Sequence, residues 1–135
     1  MLVLCVVALA VVVSIGMHYW FKKQAQKRRE AGYQVQLLSY TQDLKTGMTR
    51  KEVEGYFRAN KIEFRQMCCV ADAFSTRHSW DDLIKIGEED VPLFCRQNNV
   101  YVAFLFTDYD KSERQDNDLD TLKNVTIYHE LEGCL

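Results

Sequence analysis

Polar and apolar positions divide the chain into an unbroken apolar run, a polar stretch, and a remainder whose period changes from helical to two. From Leu2 to Phe21, twenty consecutive positions carry no formal charge. At about 1.5 Å per helical residue, such a run crosses a hydrocarbon core of about 30 Å. It predicts a transmembrane anchor over residues 1–21. Tyr19, Trp20 and Phe21 close it as an interfacial aromatic belt beside His18, and Lys22 and Lys23 follow at once. Residues 22–32 are polar and rich in helix formers, so the helix should continue as a basic juxtamembrane stalk until Gly32 weakens it.

Residues 33–135 read as one small α+β domain. Val35, Leu38, Tyr40 and Leu44 outline a helix over Gln34–Lys45, with Gly47 placed to end it in a left-handed cap. Thr49-Arg50-Lys51-Glu52 has the capping-box form, in which the Thr49 hydroxyl takes a backbone N–H and Glu52 reaches back to the cap. A second helix should therefore start at Arg50, bury Val53, Tyr56 and Phe57, and stop near Asn60. Beyond Lys61, Ile62, Phe64, Gln66, Cys68 and Val70 alternate with polar or opposite-facing neighbours, which predicts a strand. A polar loop over Ala71–His78 leads to a second strand, Trp80–Ile86, turned by Gly87–Asp90. Val91–Cys95 and Val100–Thr107 flank Arg96–Asn99 as a hairpin, whose Asn98 and Asn99 tolerate left-handed turn geometry. Val100–Phe106 is apolar on both faces, which suits a central strand. Asp108–Asp120 is a charged, acid-rich loop, and Leu122–Leu131 a last strand with Val125, Ile127, His129 and Leu131 on one face. The architecture expected is α+β: two N-terminal helices packed on a four-stranded antiparallel sheet, preceded by one transmembrane helix.

Charge sharpens this division. The five bases Lys22, Lys23, Lys27, Arg28 and Arg29 precede the first acid, whereas from Glu30 onward twelve Lys and Arg face nineteen Asp and Glu. A domain of net −7 lacks the basic face that phosphate neutralisation needs, so nucleic acid is excluded as a partner. The five bases suit anionic lipid headgroups instead. A cleaved signal peptide would want a basic start and a small-x-small site; Ala8 and Ala10 form such a pair only in mid-segment. Leu4 before Cys5 is a poor lipoprotein signal. The basic flank places the domain in the cytoplasm by the positive-inside tendency, whereas an even number of domain cysteines favours an oxidising compartment. The side of the membrane stays open.

Those cysteines, Cys68, Cys69, Cys95 and Cys134, are the main candidate chemistry. They allow two disulfides, buried free thiols, or a zinc site completed by His129, although neither C-x-x-C nor H-x₃-H spacing occurs. Neighbours in a strand point to opposite faces, so at most one of Cys68 and Cys69 faces a given partner. If the domain lies outside the cytoplasm, Cys134 should pair with Cys95, Cys68 or Cys69, because a cysteine so near a frayed end does little unless tied down. A Cys–His pair would need His78 or His129 alongside a thiol; His129, among apolar neighbours, reads rather as a hydrogen-bonded core histidine and His78 as exposed. Glu88–Asp90 and the alternating Asp116, Asp118 and Asp120 read as solvated runs, since the glycine and closing glutamate of a calcium loop are missing. Asn124-Val125-Thr126 is a glycosylation sequon by pattern only. No P-loop, dinucleotide glycine pattern or nucleophile elbow occurs, so no cofactor is expected.

Leu44-Lys45-Thr46-Gly47-Met48-Thr49-Arg50-Lys51-Glu52-Val53 resembles the Gly-Met-Thr/Ser-x-x-Glu/Gln-Val helix junction of the SmpA/OmlA outer-membrane-assembly lipoproteins. The order of two helices and a sheet is similar to that family's β-lactamase-inhibitor-protein-like fold. Arg58-Ala59-Asn60-Lys61 stands where the family has Gly-x-Pro. The resemblance implies a non-catalytic, protein-contacting envelope domain. The expectation is therefore a single-pass, membrane-anchored interaction domain whose partners are a lipid bilayer and another protein. The alternative is a thiol-dependent redox or metal-binding protein.

Overall fold

A computed structural model describes the backbone of residues 2–68, 70, 80–107 and 117–135, and side chains over the same ranges except 2–10 and 68. The chain forms two compact units, Met1–Gly32 and Tyr33–Leu135. Two helices, α1 (Leu2–Asp43) and α2 (Arg50–Ala59), precede four strands, β1 (Arg65–Cys68), β2 (Trp80–Glu88), β3 (Gln97–Thr107) and β4 (Thr121–Glu132). The strands form one antiparallel sheet in the order β1-β2-β3-β4. The architecture is thus α+β, with two helices among the described residues.

The helix expected to run through the stalk to Gly32 and the first domain helix expected over Gln34–Lys45 are one helix. Gly32 does not interrupt it. A single glycine costs about 1 kcal/mol relative to alanine, too little to break a helix flanked by Lys27–Ala31 on one side and Gln34–Leu38 on the other. Among the described residues, no helix is long and apolar enough to cross a membrane. The stripe that reaches the domain core is Tyr33, Leu37 and Tyr40 of α1 with Leu44 just after it, leaving Val35 and Leu38 exposed. Spacings of four, three and four follow the 3.6-residue period; of the expected set Val35, Leu38, Tyr40 and Leu44, only Tyr40 and Leu44 fall on it.

Gly47 lies beyond the end of α1 rather than capping it. At φ +93 it occupies the third position of a turn that closes with Met48 N–H donating to the Lys45 carbonyl, 3.1 Å, where a positive φ favours glycine. The same segment then stitches itself to the start of β4: Gly47 N–H donates to Leu122 O (2.8 Å), Leu122 N–H to Met48 O (2.7 Å) and Arg50 N–H to Asp120 O (2.7 Å). Thr49 caps α2 and shares a reciprocal box with Glu52. Hydrogen bonds from the Thr49 backbone N–H and hydroxyl hold the Glu52 carboxyl below the usual range.

Leu44, Val53 and Phe57 cover one face of the sheet, against Ile84, Val102, Phe104, Phe106 and Leu122. Leu83, Tyr101, Ala103 and Leu105 are buried on the opposite face with Val70. β3 lies between β2 and β4 and is buried from Asn99 to Phe106, which accounts for its apolar residues at odd and even positions alike.

Two strand expectations are corrected. β1 begins only at Arg65, because Ile62 and Phe64 instead pack against the helix-covered core. Val91–Cys95 is not a hairpin arm: it loops from β2 to β3 through a turn at Leu93 and Phe94, while Asn98 and Asn99 lie within β3, opposite Leu131 and Glu130. Pro92 supplies no N–H to a ladder, and the long β4 extends the pairing of β3 backward to Gln97. Ala71–His78 lies outside the described residues, as do positions 108–116 of the acid-rich loop.

Candidate functional site

Where α2 meets the sheet, three charged residues lie out of water. Arg50, at the first turn of α2, shares the helix face of Val53, Glu54 and Phe57 and is 1% exposed. Its Nη1 donates to Asp82 Oδ1 at 2.8 Å, its Nη2 donates to the Trp80 carbonyl, and its Nε lies 3.4 Å from Asp120 Oδ2. The guanidinium carbon stacks 3.9 Å from the centre of the Phe106 ring, a favourable cation–π arrangement. Burial pushes the Asp82 carboxyl up to about 7, against the pull of Arg50 and with Glu54 adding to the rise. Oδ2 of Asp82 is buried without a hydrogen bond, so the carboxyl is held through Oδ1 alone. Glu54 accepts from Gln66 Nε2 at 3.2 Å and from Arg58.

Asp81 points to the other side of β2. Its Oδ1 accepts the Phe106 N–H at 3.1 Å, at the place where the register of β3 and β4 shifts between Leu105 and Phe106. On that face, Arg65 pairs with Glu130 and stacks 4.5 Å over the Tyr101 ring.

At the opposite end of the sheet, Cys95 and Cys134 form a disulfide, S–S 2.09 Å, across a sequence separation of 39. Arg96 N–H donates to Glu132 O at 2.9 Å and Leu135 N–H to Phe94 O at 3.0 Å on either side of the bridge. No protein-family model, curated protein or solved structure matches this chain.

The cysteines singled out from the sequence are thus divided. Cys95 and Cys134 come together, Cys68 ends β1, and Cys69 and His78 lie outside the described residues. His129 is exposed on β4 rather than buried, because β4 borders the sheet and only its first part meets the helix-covered core. Asp120 is not solvated: it is 4% exposed and joined to Arg50. Among the described residues, no group of three or more His, Cys, Asp or Glu could hold a metal ion. The Arg50–Asp82–Asp120 cluster is the feature that reading the motifs missed. A signal for it exists, since Asp82 shares strand parity with Ile84 and Ile86, and Arg50 falls on the helical stripe of Val53 and Phe57.

Proposed function

We propose that this protein is a membrane-tethered interaction domain without catalytic activity of its own. The observation that carries the tether is the surface of α1 before the domain: Val11, Val12, Val13, Ile15, Met17, Tyr19, Trp20 and Phe21 are each more than half exposed. Consecutive apolar residues of that kind surround the helix on every side, and a helix apolar all round needs an apolar environment. The uncharged run starting at Leu2 provides the length, and Lys22 and Lys23 the polar boundary.

The lack of catalysis is argued from burial. Arg50 and Asp82, at 1% and 0% exposure, are sealed within the joint between α2 and the sheet, where no substrate reaches them. An envelope setting belongs to the same proposal and rests on the resemblance of Gly47–Val53 to the SmpA/OmlA junction. Carbonate extraction of membranes from cells expressing the full chain should leave the protein in the pellet. Recovery in the supernatant, or a mature form starting near residues 20–30, would defeat the tether.

A further inference from the structure

The outer edge of β4 is used only at its start. Phe106 turns its N–H away from β4, to Asp81 Oδ1 at 3.1 Å, and Leu122, opposite it in register, turns both backbone groups outward. Leu122 N–H donates to Met48 O at 2.7 Å and Gly47 N–H donates to Leu122 O at 2.8 Å, with Thr49 and Thr121 as the bridge of this short antiparallel contact. The contact stops there, because Thr49 caps α2 and the chain leaves the edge as a helix. β4 itself runs on to Glu132.

Antiparallel pairing fixes what the rest of that edge presents. Val125, Ile127 and His129 oppose Phe104, Val102 and Val100, which share the parity of Phe106. They are therefore the non-hydrogen-bonded partners of β3, and their own N–H and C=O groups point away from it. The extra residue Lys123, between the pairs Leu105–Asn124 and Phe106–Leu122, keeps them in phase with Leu122. Val125 N–H is met by the side chain of its own neighbour, Asn124 Oδ1, at 2.9 Å. Among the described residues, no strand pairs with β4 on this side beyond Leu122. An edge of this kind is a template for another strand, and no proline or inserted residue interrupts it between Asn124 and Glu132. The opposite border, β1, is only four residues long.

We propose that this edge pairs with the same edge of a second copy of the chain, antiparallel and centred on Ile127, joining two sheets into one. The charge pattern selects a copy in that direction. Lys123 stands at the start of β4 and Glu130 and Glu132 at its end, so an antiparallel copy brings the basic start of each strand to the acidic end of the other. A two-fold axis through Ile127 sets Lys123 between Glu130 and Glu132 of the copy. It sets Ile127 against Ile127, Val125 against His129, Thr126 against Tyr128 and Asn124 against Glu130, each pair on one face of the sheet. These are favourable cross-strand neighbours, an amide donor beside a carboxylate among them, and no like charges oppose each other. The outward groups of Val125, Ile127 and His129 supply about six N–H···O bonds between the copies. Pairing names the partner of the interaction domain proposed above and does not depend on the tether.

The test is amide hydrogen exchange, read by NMR on the full chain in detergent micelles at low and high ratios of protein to micelle. The N–H groups of Ile127 and His129 should exchange freely at the low ratio and become protected at the high one, whereas those of Thr126 and Tyr128, turned to β3, should be protected at both. Ile127→Lys and Ile127→Glu each set like charges across the axis. Each alone should lose the protection gained with concentration, and an equimolar mixture of the two should regain it. His129→Pro removes one outward donor at an exposed position of an edge strand, and serves in their place if either Ile127 variant loses protection at Thr126 and Tyr128; it too should abolish the gain at Ile127. Free exchange of Ile127 and His129 at every ratio, protection that dilution leaves unchanged, or a gain that survives the substitutions would overturn the pairing. Protection of the dilute chain by a membrane extract, with none from raised concentration, would give the edge to another protein and overturn it equally. None of these results touches the tether, which carbonate extraction decides.

Discussion

Lys61 follows the end of α2 at φ +55. Ile62 N–H reaches back to Phe57 O at 2.8 Å and Lys61 N–H to Arg58 O at 3.2 Å, the paired bonds of a Schellman ending, with a lysine where glycine is the usual residue. A left-handed conformation costs an L side chain about 1–2 kcal/mol. Glycine would remove that cost while losing part of the gain to its greater freedom in the unfolded chain. Lys61→Gly should therefore stabilise the domain by about 0.5–1 kcal/mol, read as a higher urea midpoint of the full chain in mild detergent. A lower midpoint would mean that the lysine stem makes contacts worth more than the relief. Asn60 is legible as a stop signal in the sequence. The conformation of Lys61 is not, because the paired bonds of Lys61 and Ile62 back to Arg58 and Phe57 impose it.

At the scale of elements, α2 is fixed by Arg50 to β2 and to Asp120 just before β4, and the clamp depends on pH through Asp82. Folding raises the Asp82 carboxyl from near 4 to about 7, so the native state holds this proton more tightly than the unfolded chain. The associated stability is fully present below about pH 4, declines as pH rises through 7, and is level above that. Asp82→Asn cannot titrate. Relative to the unsubstituted protein, its unfolding free energy should rise between about pH 4 and pH 8, by on the order of a few kcal/mol. Denaturation curves collected across that range decide the matter, and two parallel pH profiles would mean that Asp82 is ionised throughout. The capping box that starts this helix was readable from Thr49 and Glu52 because it is a contact between residues three apart. Arg50 and Asp82 are 32 positions apart, and their meeting depends on how α2 docks, which periodicity indicates only as two polar residues on apolar faces.

For the molecule as a whole, the apolar segment Val100–Phe106 marked the central strand, since a strand buried on both faces has no polar parity to show. The edge position of β4 was less legible: its alternation predicts two faces but not that His129 lies beyond the helices' cover. Pairing of Cys134 was expected from its position, yet the sequence left Cys68, Cys69 and Cys95 open as partners, because distance across a sheet end is a tertiary quantity. Closing a loop of this length should stabilise the fold by about 3–4 kcal/mol in the chain-entropy model. Cys134→Ser should lower the unfolding midpoint accordingly under oxidising conditions, and the two proteins should coincide in reductant. Equal midpoints without reductant would show that the bridge is not formed in solution.

The bridge also makes a closed covalent ring of everything from Cys95 to Cys134, including the whole of β3 and β4. A single protease cut anywhere between residues 96 and 133 opens that ring without releasing a fragment. The nicked chain would keep its mass apart from the added water, and its pieces would stay side by side until a thiol separated them.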